Sequence, residues 1–136
     1  MAIAVSETGG LGSLPCAMLD AAKMRSEIGV IRQQTAKPVN VNFFCHKPAE
    51  PDSSRDAVWK QHLTTFYEDL GLDASASVPA VYRAPFDETM CEIVEDFKPE
   101  IVSFHFGLPD KSLFDRVKTA GCKGIASATT GAEAGW

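Results

Sequence analysis

Ile101-Val102-Ser103-Phe104-His105-Phe106-Gly107-Leu108-Pro109-Asp110 is a short apolar run that ends in glycine and proline. An apolar, aromatic run bounded by turn formers predicts a strand over 101–106. Just beyond it, Leu113, Phe114, Val117 and Ala120 recur at the three- and four-residue spacing of one helix face, and Gly121 stands where that helix should stop. Residues 122–128, Cys-Lys-Gly-Ile-Ala-Ser-Ala, read as the next strand. A strand, a helix and a strand in this order predict a βαβ unit, whose strands run parallel.

The same alternation extends upstream. Phe86, Met90, Ile93, Val94 and Phe97 form a helical stripe closed by Pro99. Residues 39–44, Val-Asn-Val-Asn-Phe-Phe, are of strand length, with Val39, Val41 and Phe43 on one face. Before them, Met18, Ala21, Met24, Ile28 and Ile31 predict an amphipathic helix over 18–35, ended by Lys37-Pro38. Gly9-Gly10-Leu11-Gly12-Ser13-Leu14 reads as a turn running into a strand. Residues 46–54 read as a loop, with Ser54 as cap of a helix carrying Val58, Leu63, Phe66, Tyr67 and Leu70, and Gly71 stops it. Residues 72–85, rich in small side chains and holding two prolines, are the least regular stretch, and Thr129-Thr130 leads toward a further helix. The expectation is an α/β chain of about four parallel strands with intervening helices, one domain over 1–136. Four strands suit a small open sheet or half of an eight-stranded barrel, and periodicity alone does not choose between them.

Composition narrows the function. Apolar residues make up 45% and charged residues 23% of the 136, the balance of a globular domain with its own core. A net charge of −5 with scattered Lys and Arg argues against nucleic acid and against an anionic membrane surface. Cys16, Cys45, Cys91 and Cys122 stand apart, without a C-x-x-C pair or a tight disulfide framework, which suggests a reduced compartment. The opening Met-Ala-Ile-Ala-Val-Ser lacks a basic n-region, and no apolar run reaches the roughly 18 residues of a membrane span. A cytoplasmic location is expected.

In α/β proteins ligands bind at the C-terminal ends of strands. Two polar residues stand there: Asn42, sharing a strand face with Asn40, and His105, between Phe104 and Phe106. The bland reading is that either amide bonds loop backbone, and a histidine among phenylalanines is often a satisfied core residue. The functional alternative is an imidazole at a strand end that binds an anionic substrate or moves a proton. Cys45-His46 has no second Cys/His pair to complete a metal site. His62 is expected on a helix surface. The Gly9–Gly12 block precedes a strand, whereas a dinucleotide fingerprint follows one, so it is not expected to cradle a phosphate.

Four blocks together resemble the nitronate monooxygenase family, formerly called 2-nitropropane dioxygenases. They are Ala2-Ile3-Ala4-Val5-Ser6 through Gly9-Gly10-Leu11-Gly12-Ser13-Leu14; Pro38-Val39-Asn40-Val41-Asn42-Phe43-Phe44-Cys45-His46; Val102-Ser103-Phe104-His105-Phe106-Gly107-Leu108-Pro109; and Ala126-Ser127-Ala128-Thr129-Thr130. The resemblance implies a partial (β/α)₈ TIM barrel that binds FMN without a metal. It implies oxidation of alkyl nitronates, or nitroalkanes, by O₂ to carbonyl compounds and nitrite. Asn42 matches a flavin-contacting position, His105 a histidine on the substrate side of the flavin, and Thr129 a residue facing the same pocket. The family's first strand, with its Ala-Pro-Met segment, would precede Met1. Its Glu-Ala-Gly-Gly-His block and the glycine-rich loops that hold the FMN phosphate would follow Trp136. Gly124 sits where the family usually has a β-branched residue, which should weaken that strand. The chain is therefore expected to be a barrel fragment, open to self-association through its edges. Two other readings are an enoyl-reductase-like flavin barrel and a half-barrel without catalysis.

Overall fold

Four parallel strands, β1 (Gly12–Pro15), β2 (Val39–Phe44), β3 (Ile101–His105) and β4 (Lys123–Ala126), lie side by side in chain order. The register pairs Leu14 with Val41, Asn42 with Ser103, Phe44 with His105 and Ser103 with Ile125. A doubly wound sheet reverses its strand order and carries helices on both faces. Here the order is sequential and the helices over 21–34, 88–97 and 111–119 pack on one face, which is the wall of a (β/α)₈ barrel. The structure, a computed structural model, describes residues 1–48, 50, 52–73, 75–76 and 83–135. Much of the irregular stretch expected over 72–85 lies outside the described residues.

The helices are α1 (Ala2–Glu7), α2 (Ala21–Gln34), α3 (Ser53–His62), α4 (Thr64–Asp69), α5 (Glu88–Phe97) and α6 (Lys111–Thr119). They fall into two compact units, Met1–Lys47 with Arg83–Trp136, and Pro48–Tyr82. In the first, Val41 and Phe43 of β2 and Val102 and Phe104 of β3 form one apolar cluster with Met24 and Ile28 of α2, Ile93 and Val94 of α5, and Val117 of α6. These are the alternate strand positions and the three-and-four spaced helix positions that periodicity assigns to a core. Phe86, just before α5, sets its ring 4.7 Å from Phe43 and 5.3 Å from Phe104. Arg116 of α6 grips Glu95 of α5 with two hydrogen bonds of 2.8 and 2.6 Å and reaches Glu88 as well, tying the two helices together.

Several boundaries differ from the sequence reading. The helix expected over 18–35 begins at Ala21, because the Asp20 carboxylate accepts from the Lys23 N–H at 2.7 Å and fixes the start there. Met18 instead ends a short 3₁₀ turn, Cys16–Met18, and is exposed. β3 stops at His105, one residue early, since Phe106 takes a left-handed φ of 65° that no strand continues. Helix α1 was not foreseen: its six residues are too few for a periodic signal. It is held by tertiary bonds, Ser6 Oγ donating to the Pro38 carbonyl at 3.0 Å and accepting from the Gly12 N–H at 3.1 Å. Gly124 is not merely a weak spot in β4. A Cβ there would lie 2.6 Å from the Phe114 ring, so its bare backbone gives α6 room to pack.

In the second unit the cap is Asp52, not Ser54: its carboxylate accepts from the N–H groups of Ser54 and Arg55 at 3.0 and 3.1 Å. The Ser54 hydroxyl also donates to that carboxylate, at 2.6 Å. The single helix expected there is broken at Leu63 into α3 and α4, and Gly71, at φ 65°, ends α4 as the sequence suggests. Neither helix buries a residue, and Val58, Trp59, Phe66 and Leu70 are exposed. Among the described residues, no helix is long and apolar enough to cross a membrane.

Candidate functional site at the strand ends

The sheet face away from α2, α5 and α6 carries a polar row. Asn40 is buried, and its amide nitrogen donates to Ser13 Oγ and to Ser103 Oγ, both at 2.8 Å. The Ser103 hydroxyl donates in turn to Asn42 Oδ1 at 2.7 Å. Four side chains from three strands are thereby joined, because parallel register brings Ser13, Asn40, Ser103 and Asn42 to adjacent points of one face. Their partners are side chains of neighbouring strands rather than the loop backbone considered from sequence. One atom of the row, Asn40 Oδ1, is buried with no partner among the described residues.

His105 continues this face at the C-terminal end of β3. It is exposed, so it is not a core histidine, and its Nδ1 lies 3.2 Å from Ser127 Oγ, just past β4. Its carbonyl accepts from the Cys45 N–H at 2.8 Å, which extends the pairing of β2 and β3 by one step. Phe106 follows with its left-handed backbone and a side chain 66% exposed. Its ring stands edge-on to Phe44 at 5.0 Å and to His46 at 6.4 Å. A phenylalanine in this conformation is strained, and such strain concentrates where ligands bind.

Asn42 and His105 are thus brought to one face of adjacent strands. Thr129 lies beyond β4, where its N–H and hydroxyl both donate to Glu133 Oε2 at 2.6 and 2.9 Å. Sequence reasoning missed Ser127, Ser103 and Ser13. Strand alternation could have placed Ser103 beside Asn42's face and Ser127 two residues after Ile125, but only register identifies their partners. The thiols are poor nucleophiles: burial pushes Cys16 up to about 12 and Cys45 up to about 11. Cys91 and Cys122 are raised by the same cause. His46 packs its ring on Phe44 and Phe106, and among the described residues no three His, Cys, Asp or Glu side chains gather as a metal site. His62 lies on α3 with its ring 6.3 Å from Trp59. The Gly9–Gly12 block makes a packing turn: Gly9 takes a φ of 89° after α1, and a Cβ on Gly12 would lie 2.1 Å from the Ala2 carbonyl oxygen.

The arrangement suits a planar, hydrogen-bonding ring. Asn42 Oδ1 is engaged by Ser103, while its Nδ2 has no acceptor among the described residues, leaving a donor on the same face as His105. An isoalloxazine offers ring nitrogen and carbonyl acceptors to such a donor, so the residues fit a flavin.

Comparison with known proteins gives a consistent pattern. The family model for nitronate monooxygenase matches residues 1–136. A nitronate monooxygenase of Paraburkholderia phytofirmans is 38% identical over 98% of this chain, and one of Pseudomonas aeruginosa 34% identical over the same share. The matches span 37% and 38% of those proteins' lengths, so this chain covers little more than a third of them. Among solved structures, the nitroalkane oxidase of Streptomyces ansochromogenes superposes with a TM-score of 0.79 at 31% identity, covering 98% of this chain and 37% of that one.

Proposed function

The chain belongs to the nitronate monooxygenase family, and on that premise we propose that it forms the substrate-side wall of an FMN-dependent nitronate monooxygenase. The reaction is oxidation of an alkyl nitronate by O₂ to a carbonyl compound and nitrite. The observation that carries this reading is the placing of Asn42 and an exposed His105 on one sheet face, at the C-terminal rim beside the strained Phe106. FMN, when bound, supplies the electron-accepting ring. Asn42 would donate to that ring from its amide nitrogen, which has no acceptor among the described residues. His105, oriented through Nδ1 by the Ser127 hydroxyl, offers Nε2 to the anionic oxygens of the nitronate. Thr129 follows β4, and with its hydroxyl proton given to Glu133 its oxygen can still accept a hydrogen bond from the cofactor.

The test separates substrate contact from flavin contact. In a full-length enzyme containing this segment, His105→Ala should lower kcat/KM per bound FMN by about 10²–10³, as loss of one stabilising hydrogen bond in a dry site does. Its flavin content should stay near normal. Asn42→Ala should instead lose flavin before it loses per-flavin rate. Normal per-flavin activity in His105→Ala would remove that residue from the site. NADH oxidation without nitronate-dependent O₂ uptake would replace the proposed reaction with a reductase activity.

A further inference from the structure

We propose that Ser103 is a positioning residue that sets which end of the Asn42 amide faces the ligand, so that this site presents a hydrogen-bond donor and selects a ring acceptor. The inference rests on the flavin-site reading above.

The direction of the row follows from counting donors and acceptors. Both hydrogens of Asn40 Nδ2 are used, one on Ser13 Oγ and one on Ser103 Oγ, each at 2.8 Å. Among the described residues, the single buried side-chain N or O atom without a partner is then the acceptor Asn40 Oδ1. Turning the Asn40 amide over would let both hydroxyls donate to Oδ1 but would bury an NH₂ group with two unmet donors. An unmet buried donor or acceptor carries the full cost of its desolvation, so one unpaired acceptor is preferred to two unpaired donors. With Ser103 Oγ accepting from Asn40, its own proton needs an acceptor, and Asn42 Oδ1 stands 2.7 Å away. That bond holds the oxygen of Asn42 toward the sheet and turns its NH₂ outward. Asn40, 63 residues from Ser103 in the chain, thus dictates the polarity of a group it does not touch. Without the Ser103 hydroxyl, nothing in the row distinguishes the two ends of the Asn42 amide.

The experiment compares Ser103→Ala and Ser103→Thr with the unaltered sequence, each in a full-length enzyme containing this segment. FMN dissociation constants are measured by fluorescence quenching, and thermal unfolding is followed without flavin. Ser103→Ala should weaken FMN binding by about tenfold, the worth of one ordinary hydrogen bond. Ser103→Thr, which keeps the hydroxyl, should restore binding. A merely structural serine would lower the unfolding temperature without this recovery pattern. Unchanged FMN affinity in folded Ser103→Ala overturns the inference and leaves the flavin reading intact. Failure of the unaltered protein to bind FMN overturns both. Should Ser103→Ala not fold, Asn42→Asp decides: it keeps an acceptor for Ser103 and replaces the outward donor by an acceptor. FMN binding by Asn42→Asp must then fall at least tenfold, and binding equal to that of the unaltered protein rejects the donor assignment.

Discussion

Phe106 and Lys98 are the non-glycine residues with a left-handed backbone among those described, at φ 65° and 46°. Lys98 has an ordinary reason: it caps α5, its N–H bonded to the Val94 carbonyl, and Pro99 follows. Phe106 caps no helix and follows the strand that ends in His105, with its ring against Phe44 and His46. Its strain is maintained by the surrounding rim, as in sites that must hold one shape. Gly12 represents the opposite residue-scale constraint, a place where no side chain fits at all. The Ala2 carbonyl oxygen and Ser6 Oγ would meet a Cβ at 2.1 and 2.5 Å. Gly12→Ala should therefore displace α1 from β1 and destabilise the fold by about 1–3 kcal/mol, the usual cost of overpacking. Urea unfolding checks it, and an unshifted midpoint with unchanged slope would mean that α1 contributes no stability.

At the scale of elements, polar clamps hold the helices to the sheet. Arg32 of α2 reaches both oxygens of Glu100 at 3.1 and 3.2 Å, and Glu100 also accepts from the Val39 N–H at 3.1 Å, at the start of β2. Burial pushes the Glu100 pKa up, but the bonds from Arg32 and Val39 outweigh it, and the net shift is below the ordinary 4.5. A carboxyl whose pKa falls on folding contributes stability that is complete above its unfolded value and is lost as pH drops through the folded one. Stability should hold from neutral pH down to about the ordinary glutamate value and then decline. In Glu100→Gln part of that decline should be missing and stability at neutral pH reduced. Denaturant midpoints measured from pH 7 to pH 3 for both proteins test this. Parallel curves would show that the clamp adds nothing.

At the largest scale, the decisive feature of the unit that holds the sheet is that its own helices α2, α5 and α6 pack on one face. β1 and β4 each pair on one side among the described residues, every residue of β4 is exposed, and Ile125 is 49% exposed on the inner face. Unpaired strand edges and an open inner face favour association. Prepared as a 136-residue polypeptide, the chain should therefore self-associate, which light scattering coupled to size exclusion would detect. A monodisperse monomer that unfolds cooperatively would contradict it.

The amino-acid sequence by itself determined the alternation of strands and helices and the faces that enter the core. Val41, Phe43, Val102 and Phe104 alternate at period two, and Met24, Ile28, Ile93 and Val94 fall at helical spacing, so local pattern was enough to assign them. The motif residues Asn42 and His105 were legible for the same reason, standing polar at the ends of apolar runs. Periodicity carries no information about strand order; the family resemblance implied the barrel, and the tertiary structure shows the strands following one another as its wall. Tertiary structure alone decided the partners of the site. Ser103 meets Asn42 across 61 residues of chain, and Ser127 meets His105 across 22. Such bonds depend on the register of neighbouring strands, a long-range property fixed only when one sheet face is buried. Short capped pieces behaved likewise: α1 exists because Ser6 and Gly12 meet, and α3 starts at Asp52 because its carboxylate reaches two free N–H groups. Local propensity names the residues able to form these bonds, and only packing selects the ones that do.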